Sequence, residues 1–524
     1  MLAVLVASPA AAQFVNDARH KIDLDPDPLG RTPRLLGMGR LTYTVEDFHN
    51  RIDLWELEGY TSQLIDADTS SSFELTPGTN SGSTLHDDPS GSTRTRQDLA
   101  LRQLVVGYEA WRRASDRTAY GLTGDFSSIQ SDVPQSLTSE ERTTYTVPRA
   151  LIALSGKLQF LMPDRFRYGM YLSHRHESRD DDLRAIVTNG AGEFIDQNGA
   201  PLSSPNIFTP NRTTVGSIGG GGAASMKLAP WGTLAARADY ISNSLHGENN
   251  GARYATELRE ERPFTTLGAA LTGLVLGAKY MAAYESWSGT SEQTWVASIS
   301  AGSGATPLAG RGTYANRDEN GSQFDGRLLW TKGPWSVGGG IRSGSRDVKI
   351  TPPAPGIESF NSFLAMLPSN PGADTLSIPD SVVANKYQQK TMDAGGGLSR
   401  SFGWHDALVA AEFNTSHSDF DQDLAGEGPK RKGWGARAGG EFSATPALRV
   451  RAGYLYESLD QDELTKSNEF ITQGATAGFG YQPPGSGWIM EIGYGLYWSS
   501  SDFGDPTRIR SNRHQGLVRV RWSL

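Results

Sequence analysis

Residues Trp488 to Trp498 alternate with a period of two. Trp488, Met490, Ile492, Tyr494, Leu496 and Trp498 share one face, and Ile489, Glu491, Gly493, Gly495 and Tyr497 share the other. Successive side chains of an extended strand point to opposite sides, so this period reads as a strand with one apolar and one polar face. About ten residues of strand rise about 33 Å, and a tilt of about 40° reduces that to about 25 Å. That is the height of the apolar band of a strand that crosses a membrane. The two Trp then fall at its two ends, where amphipathic rings suit the membrane–water interfaces.

The same grammar recurs along the chain. Leu234, Ala236, Ala238 and Tyr240 alternate with Ala235, Arg237 and Asp239; Phe324, Leu328 and Trp330 with Asp325 and Arg327. Trp335, Val337, Gly339 and Ile341 alternate with Ser336, Gly338 and Arg342; Leu448, Val450, Ala452, Tyr454 and Tyr456 with Arg449, Arg451 and Gly453. Charges stay on one face. Connections add an independent signal. Short turns, such as Pro230-Trp231-Gly232, Lys332-Gly333-Pro334, Gly403-Trp404-His405 and Ala444-Thr445-Pro446, alternate with longer polar segments at 129–146, 177–211, 243–262, 288–320, 346–388, 419–431, 459–468 and 499–511. Short periplasmic turns and long external loops are how outer-membrane barrels are built.

The pattern predicts strands near 70–77, 98–111, 118–128, 147–159, 164–176, 212–228, 233–242, 263–272, 274–287, 321–331, 334–345, 389–402, 406–418, 432–444, 447–458, 469–482, 486–498 and 512–524. The fold class is therefore all-β: a transmembrane antiparallel up-and-down β-barrel of about 18 strands in the bacterial outer membrane. The first strand and the 263–287 pair have the least regular pattern, which leaves 14 or 16 strands open. Within that pair, a turn is expected at Thr272-Gly273.

Composition agrees. Of 524 residues only 37% are hydrophobic, while Gly numbers 60, Trp 12 and Tyr 18. A barrel needs one apolar face per strand, uses Gly where strands bend, and places Trp and Tyr at the interfaces. The chain has no cysteine, which excludes disulfides and thiol chemistry. A net charge of −9 argues against a nucleic-acid partner. Partners are instead expected among outer-membrane lipid, lipopolysaccharide and the barrel assembly machinery.

At the start of the chain, Leu2 to Ala7 is apolar and Ser8-Pro9-Ala10-Ala11-Ala12 is small-residue rich. Residues 1–12 read as a signal peptide lacking its basic region, with cleavage after Ala12. At the other end, Val518, Val520, Trp522 and Leu524 share one face of Gly516 to Leu524. This segment resembles the C-terminal sorting signal of outer-membrane proteins, although that signal usually ends in Phe or Trp and here the aromatic stands two residues earlier.

Residues 13–69 do not follow the strand grammar, so the barrel proper is taken as 70–524. Leu35 to Val45 reads as one strand, and a short helix is expected around Asp53 to Leu57. Leu54, Trp55, Leu57 and Tyr60 argue that this segment packs as a plug in the lumen, the alternative being a periplasmic tail. The layout loosely resembles the long-chain fatty acid transporter family, whose barrels hold an N-terminal hatch. The Asn-Pro-Ala signature of that hatch is absent; the corresponding stretch reads Glu58-Gly59-Tyr60-Thr61, and no binding residue carries over.

The charged face supplies the candidate pore-lining residues: Arg237, Arg327, Arg342, Arg437, Arg449, Arg451, Arg519 and Arg521, with Asp239, Asp325, Glu441 and Glu491. They read either as a mixed-charge network that braces the wall or as rings of charge that tune solute passage. Arg449, Arg451, Arg519 and Arg521 would form a basic ladder near the closure seam. His174 and His176, with Glu177 and Asp180 to Asp182, are of the ligand types that bind metals, as are the acidic loops containing Asp419, Asp421 and Asp423 and Asp460, Asp462 and Glu463; solvated loop charge is the plainer reading. No nucleophile elbow, His-Glu-x-x-His or P-loop occurs, so no catalytic residue, metal or cofactor is expected.

The leading expectation is a porin-like channel for diffusion or facilitated uptake of small solutes. Residues 346–388, with Phe360, Phe363, Leu364 and Leu367, are the candidate inward loop. The alternatives are a transporter for hydrophobic compounds with an N-terminal hatch, and a non-transporting surface scaffold or adhesin.

Overall fold

The structure, a computed structural model, describes residues 32–45, 70–87, 94–136, 139–157, 165–185, 211–229, 232–250, 254–299, 308–351, 385–422, 426–463, 466–502 and 507–522. A short helix, α1 (Pro33–Gly37), precedes 18 strands. The first nine are β1 (Ser70–Asp87), β2 (Arg94–Ser115), β3 (Thr118–Ser136), β4 (Ser139–Lys157), β5 (Phe166–Ala185), β6 (Asn211–Ala229), β7 (Gly232–Asn250), β8 (Tyr254–Val275) and β9 (Ala278–Ile299). The rest are β10 (Leu308–Lys332), β11 (Trp335–Thr351), β12 (Asn385–Ser401), β13 (Leu408–Gln422), β14 (Gly426–Thr445), β15 (Leu448–Glu463), β16 (Lys466–Tyr481), β17 (Trp488–Asp502) and β18 (Thr507–Trp522).

Each strand pairs antiparallel with its sequence neighbours, and β1 pairs with β2 on one side and β18 on the other. The seam runs from Ser71 opposite Trp522 to His86 opposite Thr507. Among the described residues no strand edge is left unpaired, as a lipid environment requires, because it offers the backbone no other hydrogen-bond partner. The first strand and the 263–287 pair both take their places in this cylinder, so the count among the described residues is 18.

The two faces divide as the alternation predicts. In β17, Ile489, Glu491, Gly493, Gly495 and Tyr497 are buried, while Trp488, Tyr494 and Trp498 are exposed on the other side. Ile152, Leu172, Ile218, Leu267 and Val409 are likewise exposed apolar residues on alternating positions. The outward face thus forms the lipid-facing band of an outer-membrane β-barrel.

Three expectations need correction. First, several segments read as external loops are largely strand. β3 and β4 run through most of 129–146, and β9 and β10 occupy 288–299 and 308–320. Beyond the bilayer neither face must be apolar, so the period-two signal stops while the ladder of backbone hydrogen bonds continues. Second, the β8–β9 turn lies at Leu276-Gly277, not Thr272-Gly273; Val275 pairs with Ala278, and the two turn residues have φ of 51° and 81°. A two-residue hairpin of this kind needs positive φ at both positions. Leucine rarely adopts it, which hid the turn behind the nearby glycine. Third, Leu35 to Val45 is not a strand. Pro33 to Gly37 is helical, with Thr32 Oγ1 accepting from the Leu35 amide at 3.1 Å, a side-chain N-cap. The expected helix at 53–57, the plug residues Leu54, Trp55, Leu57 and Tyr60, and the inward loop residues Phe360, Phe363, Leu364 and Leu367 lie outside the described residues.

Candidate lumenal site

Residues 32–45 lie against the lumenal wall and run across the strands, from β17 to β11. What permits this close approach is a row of glycines. A Cβ on Gly493 would stand 2.6 Å from the Pro33 carbonyl oxygen, and one on Gly478 would stand 3.2 Å from Gly37 Cα. On Gly453 it would collide with Gly39, on Gly439 with Met38, and on Gly395 and Gly338 with the ring and the carbonyl of Tyr43. Strands β17, β16, β15, β14, β12 and β11 therefore each contribute a glycine to one groove, and β13, which has no glycine, lies between β14 and β12. These glycines make room for a second layer of chain, not only for strand bends.

Polar anchors hold the segment in the groove. Glu412 of β13 accepts from the amides of Thr42 (2.6 Å), Tyr43 (2.8 Å) and Thr44 (2.7 Å), and from Thr44 Oγ1 (2.7 Å). One carboxylate thereby satisfies three consecutive amides that no helix or sheet serves. Thr476 accepts from the Gly39 amide at 2.9 Å and donates to the Gly37 carbonyl at 3.2 Å. Ser399 Oγ donates to the Thr44 carbonyl at 3.2 Å.

At the start of the segment, Arg34 grips Glu441 through two hydrogen bonds of 3.1 and 3.0 Å. Arg451 donates to the same Glu441 at 2.6 Å and to Glu491 at 2.8 Å. All four side chains are buried. Burying charge is costly unless each ion is paired and hydrogen-bonded, and the chain of alternating signs supplies that pairing. Apolar contacts complete the docking: Leu36 joins Leu455, Tyr497 and Leu517, and Met38 and Leu41 join Ala410.

Of the candidate pore-lining residues, Arg451, Glu441 and Glu491 thus fasten the N-terminal segment. Arg437 does so too, donating to the Arg40 carbonyl at 3.0 Å, to Thr42 Oγ1 at 2.9 Å and to Glu457 at 2.7 Å. On the opposite wall Arg237 bridges Glu285 at 2.6 Å and Asp239 at 3.4 Å, and Tyr171 donates to Asp239 at 3.0 Å. Asp325 takes Arg342 at 3.0 Å and Arg327 at 3.4 Å. These three line a cavity of about 50 Å³ with Thr42, Tyr43 and Asp393, at the end of the docked segment.

Arg327 and Arg449 keep side chains 45% exposed. The expected basic ladder is divided: Arg449 and Arg451 stand on β15, Arg519 and Arg521 on β18, with β16 and β17 between them. Arg451 spends its guanidinium on Glu441 and Glu491.

His174 and His176 do not meet Glu177. They are exposed on the outward face, while Glu177 is buried on the inward one and pairs with Arg175 at 2.9 Å. The period of two separates them. The functional residues that sequence reasoning missed are Arg34, Thr42, Tyr43, Thr44 and the groove glycines. A lumen-facing glycine on nearly every successive strand was the available signal.

No protein-family model matches the chain, and no curated protein matches it. Among solved structures it is similar to the Pseudomonas putida toluene transporter TodX, at 13% identity, covering 95% of this chain and 99% of that one with a TM-score of 0.36. It is similar also to the copper transporter OprC, at 9% identity over 87% of this chain and 81% of that one, TM-score 0.42. The ferric yersiniabactin uptake receptor FyuA from Yersinia pestis stands at 9% identity over 87% and 80%, TM-score 0.44. At these values the likenesses say nothing of what this chain carries.

Proposed function

We propose that this protein is an outer-membrane channel that passes small solutes by diffusion or facilitated uptake, with residues 32–45 narrowing one side of its lumen. The observation that carries this reading is the state of the lumenal charges. Most are spent in ion pairs that brace the wall and the docked segment, but Arg327 and Arg449 remain 45% exposed. An inner wall 18 strands around encloses space for an aqueous channel unless it is filled. Exposed guanidinium groups there act on passing ions and polar solutes.

The reading of a transporter with an N-terminal hatch draws support from the docked segment itself. Planar-bilayer recording separates the two. A channel of the proposed kind gives steady ohmic conductance as the intact chain. A closed hatch gives none until residues 13–69 are deleted. Silence in both forms overturns both readings.

A further inference from the structure

A notch of about 360 Å³ opens on the barrel wall away from the docked segment. Tyr284, Phe324 and Met392 stand around it, each on the outward face and between 40% and 52% exposed. Between them β11 presents only Ser343 and Ser345, so the aromatic surface is interrupted by short side chains. Lys390 and His417 close the notch toward the external ends of their strands. Its volume lies in the range of small-ligand pockets.

The height of the notch identifies its surroundings. His417 is nine residues beyond Leu408, where β13 begins. That places it about 23 Å along the membrane normal, at the outer margin of an apolar band about 25 Å tall. Trp434 marks the same boundary. It stacks on Phe413 at 6.1 Å and lies 4.9 Å from Tyr456, as interfacial aromatics do. Trp434 pairs with Thr415, and His417 is the next outward residue on that strand. Tyr284, Phe324, Ser343, Met392 and His417 form one row across the strands, and Lys390 stands one outward position further toward the cell exterior, so the notch sets apolar side chains just below a cation at headgroup level.

Of the cations on the outward face at this rim, Lys390 is the one that lines the cavity. Lys432 faces Asp460 across its strand pair, and Lys430 faces Asp462. Asp419 lies opposite Lys390 but is taken by His417 Nε2 at 3.1 Å. Among the described residues Lys390 has no ion pair, and it sits at the mouth of the cavity.

We propose that this notch binds a phosphorylated glycolipid of the outer leaflet, of the lipid A type. An acyl chain lies against Tyr284, Phe324 and Met392, and a phosphate rests on Lys390, while His417 keeps Asp419 engaged. An anionic oxygen at an ammonium group makes the stronger class of hydrogen bond. The apolar side chains beside the cation select a lipid over free phosphate. The site is on the lipid face, so it is independent of whether the lumen conducts.

The test is native mass spectrometry of the full chain in detergent micelles containing lipid A. The wild type retains lipid A. The Lys390→Ala/His417→Ala double variant binds it roughly tenfold more weakly, the scale of one charge-assisted hydrogen bond, and Ser343→Trp, which fills the notch, loses it. Heat-modifiable gel migration reports that each variant still folds, with Lys390→Gln as the milder form of the first. Equal retention by all forms overturns the proposal. So does equal retention by the wild type of lipid A and of its dephosphorylated form, or of phosphatidylglycerol and lipid A.

Discussion

Arg34 and Glu441 stand 407 positions apart in the chain and meet through two parallel hydrogen bonds, Nε to Oε2 at 3.1 Å and Nη2 to Oε1 at 3.0 Å. This paired fork fastens the beginning of the N-terminal segment to β14. The amide and hydroxyl bonds to Glu412 fasten its end to β13. Between them the segment has neither sheet nor long helix of its own, so its order comes from the wall.

Arg34→Ala should release the segment without opening the barrel. Breaking a buried ion pair costs about 3–5 kcal/mol, and the lower end applies because Glu441 keeps Arg451. Limited proteolysis should cut near residue 40 faster in the variant, while heat-modifiable migration stays unchanged. Equal cleavage rates would show that Arg34 does not hold the segment.

Gly439→Val and Gly453→Val should displace the segment by steric exclusion. Their side chains would occupy the space of Met38 and Gly39. The chain has no cysteine, so a single Leu36→Cys substitution gives a clean reporter. Its thiol should react slowly in the parent and quickly in either valine variant. Slow labelling in both would contradict the groove.

Arg327→Glu and Arg449→Glu should move ion selectivity toward cations. Both side chains are 45% exposed in the lumen, and inward charges of this kind tune selectivity. The reversal potential in a salt gradient measures it. A potential that does not move with either reversal of charge would deny these residues a place on the conducting path.

Leu172→Arg should destabilise the barrel by about 2–4 kcal/mol, the cost of a basic side chain on the lipid face near mid-depth. Leu172 is 69% exposed and lies six residues into β5. Trp498→Arg, at the interface, should cost about 1 kcal/mol or less. Urea titration in lipid vesicles compares them, and equal losses would misplace the band.

The residues that carried the fold in the sequence did so for a local reason. Trp488 to Trp498 alternate because the backbone of a strand turns each side chain to the opposite face. A membrane on one side and a polar lumen on the other then write that geometry into residue choice. Hence the strand faces, their number and the short connections were legible, along with the inward charges of Arg451, Glu441 and Glu491.

Local periodicity ends where its cause ends. Above the bilayer no face must be apolar, so the outer parts of β9 and β10 carried no signal, and only the backbone pairing extends them. At Leu276 a residue ill suited to positive φ makes the turn, because the flanking strands hold it there. The docking of residues 32–45 was decided by tertiary structure alone. Gly493, Gly478, Gly453 and Gly439 look like ordinary strand glycines until closure lines them up across neighbouring strands. Arg34 meets a carboxylate 407 residues away, which no local pattern announces. Alternation determined that this chain is a membrane cylinder, and only the closed cylinder determined what lies against its inner wall.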